Sequence, residues 1–187
     1  MKRLVVIAFI FLPFTLGAQD VKFHINPGFV ISQIDGDSYG GYKKLGYSLG
    51  AGFRFVRSDK FEIDWSTRIN QKGAREITPI SLFIVRLNYL ESDLVFNYVL
   101  NQKVNFGAGA YTGFIMSENA KIGYQDNGYR RLEIVPLARI GVRINEKIDI
   151  NVRYSRSVYS IRKNCTGTTT PCWFNKALLF EMSYTLK

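Results

Sequence analysis

The sequence predicts an all-β protein, an eight-stranded antiparallel up-and-down transmembrane β-barrel of the outer-membrane type. Three observations predict it. First, apolar and polar residues alternate with period two over about twelve residues at a time, as in Leu45-Tyr47-Leu49-Ala51-Phe53-Phe55 against Gly46-Ser48-Gly50-Gly52-Arg54. Twelve residues at about 3.3 Å each, tilted near 45°, cover roughly the hydrocarbon thickness of a bilayer. Second, the segments between alternating runs are long and short by turns, about twelve, four, ten, three, twelve, three and thirteen residues. Third, no stretch after the first eighteen residues approaches the ~20 consecutive apolar residues of a membrane helix, so a spanning chain must close as a barrel.

The elements follow in order. Lys2 and Arg3, an apolar run from Leu4 to Leu16, and Gly17-Ala18 before Gln19 form a secretory signal peptide over residues 1–18, and residues 19–187 form the barrel domain. Removing the peptide lowers the net charge from +10 by Lys2 and Arg3 to +8. Strand one is expected over Val21–Ser32, broken in phase by Pro27-Gly28, and a polar loop Gln33–Lys44 follows. Strands two and three, Leu45–Val56 and Phe61–Lys72, flank the turn Arg57–Lys60. A connection Gly73–Leu82 leads to strand four, Phe83–Tyr98, whose apolar phase slips near Tyr89-Leu90 as at a bulge. Strand five is Val104–Met116 and strand six Tyr129–Ile144, with Pro136 an obstacle to a central ladder position. Strand seven is Ile148–Ile161 and strand eight Asn175–Lys187. Fourteen Phe, eleven Tyr and sixteen Gly suit aromatic girdles around a narrow barrel.

Alternation alone does not say which face is inside. The polar face carries Arg54, Arg68, Arg131, Arg139, Arg143 and Arg153 with Glu62, Asp64, Glu91, Asp93, Glu133, Asp149 and Glu181. The charges nearly cancel, and every base on this face is Arg, whose fixed fork suits water-poor ion pairs. Lysines, Lys72 among them, fall at turns and loops. These thirteen residues are therefore expected to line the lumen as an ion-pair plug, since an eight-stranded barrel is just wide enough for side chains to fill. The alternative is a proton or ion path, because ionisable groups at membrane depth are often functional.

Catalytic and metal chemistry have little to stand on. The single histidine, His24, is followed by Ile25-Asn26 and lacks the His-x-Ser element of barrel lipid A deacylases. One His and two Cys do not make a metal cluster. No cofactor is expected, and the barrel is read as non-enzymatic, with a small channel or a lipid-modifying enzyme as alternatives. Cys165 and Cys172 are expected to form a disulfide in the last loop, the default for two cysteines in an exported chain. Surplus basic residues lie at rims and loops, including Lys43, Lys44, Arg75, Arg130, Arg162 and Lys163. They suit the phosphates of outer-membrane lipid or lipopolysaccharide better than nucleic acid.

Several short elements occur in a fixed order: Gly28, Ile34-Asp35-Gly36-Asp37, Leu45-Gly46-Tyr47-Ser48-Leu49-Gly50, Gln71-Lys72-Gly73, Leu87-Asn88-Tyr89-Leu90-Glu91 and Gly107-Ala108-Gly109-Ala110-Tyr111. In these the chain resembles the PorT-type outer-membrane β-barrel family over essentially its whole mature length. Asp93 stands where the family commonly has proline, and the last aromatic residue, Tyr184, falls short of the C-terminus. Short turns on one rim and long loops on the other, with both termini on the short-turn rim, are the pattern of a Gram-negative outer-membrane barrel, so the long loops are expected to be extracellular and the termini periplasmic. The family's namesake is implicated in type IX secretion and most members have no assigned role, so the resemblance supports the architecture more than an activity; the expected role is structural or accessory, in a secretion or envelope complex.

Overall fold

The computed structural model describes residues 20–37, 41–77, 82–121, 128–166 and 171–186. The signal peptide assigned to residues 1–18 lies outside the described residues. Eight strands run β1 (Asp20–Asp35), β2 (Lys44–Ser58), β3 (Phe61–Ile77), β4 (Leu82–Leu100), β5 (Val104–Lys121), β6 (Leu132–Arg143), β7 (Ile148–Arg156) and β8 (Phe174–Leu186). Each pairs antiparallel with the next, and β1 pairs with β8 to close the ring. Closure leaves no edge with unpaired amides, the condition for placing strands in hydrocarbon.

The alternation read from the sequence becomes two surfaces. Leu45, Tyr47, Leu49 and Phe53 of β2, Phe96 and Tyr98 of β4, and Leu132, Ile134, Ile140 and Val142 of β6 are exposed on the outside. The residues between them, Arg54, Asp93, Asn97, Glu133 and Arg139, are buried inside. An apolar exterior around a charged interior inverts the arrangement of a water-soluble barrel and matches a wall surrounded by lipid.

Pro27 of β1 and Pro136 of β6 sit where a missing donor does least harm. β1 runs unbroken through Pro27, and only its ladder to β8 skips Asn26 and Pro27. The β6–β7 ladder ends at Leu137–Ser155, one residue short of Pro136. The expected break in strand one is therefore absent, and the inward order His24, Asn26, Val30, Ser32, Ile34 keeps one parity.

Strand lengths differ from the expectation on the loop side. β3 has 17 residues, β4 19 and β5 18. Nineteen residues at about 3.3 Å and a 45° tilt rise about 44 Å, well beyond the roughly 25 Å apolar band of such barrels. These strands continue past the membrane, so the connection expected to hold ten residues shrinks to residues 78–81. β6 and β7 are conversely shorter than expected, and residues 157–173 form the longest connection.

The phase slip expected near Tyr89 is a change of surroundings. Phe83, Val85, Leu87, Tyr89, Glu91, Asp93, Val95, Asn97 and Val99 all point inward without a break in parity. From Glu91 toward the short turns the inner face is polar with an apolar cluster at its middle, and the outer face is apolar. Beyond Glu91 the inner face is apolar and the outer face carries Arg86 and Asn88. The irregularity itself lies in β5, where Ser117 and Ile115 oppose Asn88 and Tyr89 and Met116 is the extra residue.

Candidate functional site: the charged lumen and its apolar cap

Inward positions on β3 recur every second residue, so Glu62, Asp64, Arg68 and Lys72 mark successive levels along the lumen. At the short-turn rim Arg54 reaches from β2 to Asp64 at 3.0 Å and to Asp149 of β7 at 2.5 Å. Arg143 bonds Glu62 at 2.9 Å and Asp149 at 3.2 Å. Its side chain is 26% exposed, because a vestibule of about 520 Å³ opens here between Lys22, Arg54, Glu62, Arg143 and Glu146.

One level deeper, Arg139 donates to Asp64 and to Asn97 Oδ1, the latter at 2.7 Å. Gly107 makes this crossing feasible. It lies between Asn97 and Arg139 on the paired strands, and a Cβ there would stand 2.3 Å from Asn97 Oδ1. His24 occupies the same level, its Nδ1 2.9 Å from Asn26 and its Nε2 3.9 Å from Asp64.

The next level is the most enclosed. Arg68 holds Asp93 through Nε at 3.0 Å and bonds Glu181 on β8, across the interior from β3. Arg153 reaches the same Asp93 at 2.7 Å, and Ser66 donates to its other oxygen at 2.8 Å. Arg139 and Arg153 oppose each other directly in the β6–β7 ladder, and they avoid repulsion by diverging to carboxylates at different levels.

Above this, Lys72 joins the network. Its Nζ lies 2.5 Å from Glu91 and 3.5 Å from Glu133, and 4.3 Å from the centre of the Tyr111 ring. Glu133 also accepts from Ser157 Oγ and Asn175 Nδ2, both at 3.1 Å. The assignment of Lys72 to a turn is corrected by this geometry: β3 continues to Ile77, and strand parity turns the side chain inward.

Arg131 requires the opposite correction. Sequence parity puts it in the lumen, whereas it is exposed, one residue before β6 begins. The β5–β6 ladder ends at Phe114–Leu132, after which the Arg131 carbonyl accepts from Ile115 N–H and Tyr129 bridges to Arg162. At that height the interior is Ile115, Tyr129 and Ile161, where an unpaired guanidinium would be costly. Of the thirteen expected lumen residues, the structure brings the other twelve into the network and leaves Arg131 outside.

The loop-side end is closed by an apolar cluster that includes Ile34, Phe83, Val85, Leu87, Ile161 and Trp173. Loop residues complete it through backbone bonds, Ile161 N–H to Trp173 O at 2.8 Å and Arg130 N–H to Ile161 O at 2.7 Å. Cys165 and Cys172 are disulfide-bonded immediately before Trp173, with Cα atoms 5.0 Å apart. Among the described residues no group of three His, Cys, Asp or Glu is arranged to hold a metal ion.

No family model and no curated protein matches this sequence. Solved structures do match in shape. Ail, the attachment invasion locus protein of Yersinia pestis, superposes with a TM-score of 0.51 at 13% identity, over 90% of this chain and 100% of that one. The same protein in a phospholipid bilayer nanodisc gives 0.54 at 13% identity, over 89% and 100%. Neisserial surface protein A gives 0.56 at 11% identity, over 90% and 100%. At such identities the likeness is one of fold, and the fold is the eight-stranded outer-membrane β-barrel.

Proposed function

We propose that this chain is a non-enzymatic outer-membrane barrel with a plugged lumen, a structural or accessory subunit of a secretion or envelope complex. Long loops face the cell exterior and the termini face the periplasm. The supporting observation is that buried ion pairs tie opposite walls together, Arg54 to Asp149 and Arg68 to Glu181, beneath an apolar cap. A water path would have to displace groups whose charges are already satisfied, and uncovering one partner of a buried pair is strongly unfavourable. The resemblance to PorT-type barrels, whose namesake is implicated in type IX secretion, supports the architecture more than the accessory role.

Reconstitution in planar bilayers tests the closed lumen. No stepwise conductance is expected, and reproducible single-channel openings would make the barrel a channel. Affinity purification from native membranes in mild detergent tests the subunit role, with a stoichiometric partner expected. Elution of the barrel alone would overturn it, and an altered lipid A mass after deletion would assign catalysis instead.

A further inference from the structure

The lipid-facing side of β7, β8 and β1 changes chemistry within one step of two residues. One cross-strand row holds Tyr154, Leu178, Ile31 and Leu45, each opposite the next in its ladder. Beneath it Phe29 and Phe180 stack with ring centroids 5.1 Å apart. The adjoining row toward the loops holds Arg156 opposite Lys176, and Lys176 opposite Gln33. The Arg156 side chain is 54% exposed and that of Lys176 25%, on the outer face of the barrel.

Two cations directly opposed on neighbouring strands repel each other. A single carboxylate, Asp35, serves both, 3.4 Å from Arg156 and 2.6 Å from Lys176. Gln33 Nε2 donates to the same carboxylate at 3.0 Å. Among the described residues the row therefore keeps two cations to one carboxylate where the apolar belt ends, and the low-dielectric neighbour strengthens any charge placed against it.

We infer that this edge binds the phosphate headgroup of an anionic lipid of the surrounding leaflet. Arg156 presents a planar fork of N–H groups to phosphate oxygens, and Lys176 adds a second cationic donor. The acyl chains lie on the Tyr154–Leu178–Ile31 row and the stacked phenylalanines. A soluble anion would satisfy only the charged row, whereas an amphiphile matches both rows at once. The site depends on the apolar exterior and stands whether or not the lumen conducts.

Native mass spectrometry of the full chain in detergent tests the site, with bis-phosphorylated lipid A, the same lipid after phosphatase treatment, and inorganic phosphate as probes. The phosphorylated lipid should be retained in preference to the dephosphorylated one. Arg156→Gln with Lys176→Gln should weaken that retention by about fivefold for each charge removed. Lys103→Gln, on the short-turn rim, should leave it unchanged. Equal retention by wild type and the double variant overturns the inference, as does displacement of the lipid by equimolar inorganic phosphate. Heat modifiability on gels reports folding, and Arg156→Gln alone carries the test if the double variant misfolds.

Discussion

At the scale of single residues, the lumen distinguishes charges that hold walls together from charges that are only solvated. Arg68 is fully enclosed and is the one base that bonds both Asp93 and Glu181 within hydrogen-bonding distance. Replacing it with Leu leaves Glu181, among the described residues, with no ion-pair partner nearer than Arg153 at 4.0 Å. Breaking a buried pair of this kind costs about 3–5 kcal/mol. Arg68→Leu should therefore lower the midpoint of urea unfolding in lipid vesicles substantially, while exposed Arg131→Leu should change stability by no more than about 0.5 kcal/mol. Equal effects would mean that the ion pairs contribute nothing specific. Most of this network was legible, because strand parity sorts Glu62, Asp64 and Arg68 onto one face whatever the register. Lys72 obeyed the same parity and was missed because strand three was ended at the edge of the membrane. Arg131 was misplaced because parity was carried past the end of a ladder that the sequence does not mark.

At the scale of elements, the strands outlast the apolar belt, and the point where they pass it has its own requirement. Gly73 sits in β3 with φ 138°, and a Cβ there would stand 2.0 Å from the Val85 carbonyl oxygen. The sequence offered this glycine as the start of a connection, whereas it lets β3 and β4 stay paired up to Ile77 and Leu82. Gly73→Ala should cost about 1–3 kcal/mol through backbone strain and crowding, and hydrogen exchange should show the loss concentrated in the β3–β4 extension. Uniform loss around the ring would refute a local role. The disulfide acts on a different element. It closes an eight-residue loop, worth about 2.5 kcal/mol by chain-entropy reckoning, and it fixes the segment leading into Trp173. Cys165→Ser with Cys172→Ser should make the last loop a protease target while leaving the strands resistant. Cleavage within the strands would show that the staple supports the whole barrel. The pairing was readable from two cysteines in an exported chain. The packing of the loop onto β4 was not, because contacts between segments far apart in sequence leave no local periodicity.

At the scale of the whole molecule, the chain behaves as two barrels of opposite polarity built on one set of strands. Within the belt the outside is apolar and the inside largely charged; beyond Glu91 the inner face of β4 is apolar from Phe83 to Tyr89 and its outer face carries Arg86 and Asn88, while Lys72 and Asn175 remain as polar groups at the base of the apolar cluster. A single sequence pattern of period two serves both, so alternation identified the strands throughout but could not mark where the solvent changes. The chain carries a reporter in each half, since its two tryptophans are Trp65 and Trp173. Trp65 faces outward at mid-belt, stacked near Phe53 with Nε1 3.2 Å from Ser92 Oγ. Trp173 is buried in the cap, against Phe83 and beneath the Arg162 guanidinium. Brominated acyl chains should therefore quench the Trp173→Phe variant, which retains Trp65, and should leave the Trp65→Phe variant bright. Quenching of both would place the cap in hydrocarbon, and quenching of neither would deny that the outer face meets lipid at all. The second outcome would remove the ground for the plugged lumen and for the lipid site together, since both require the arginine face to be the inside.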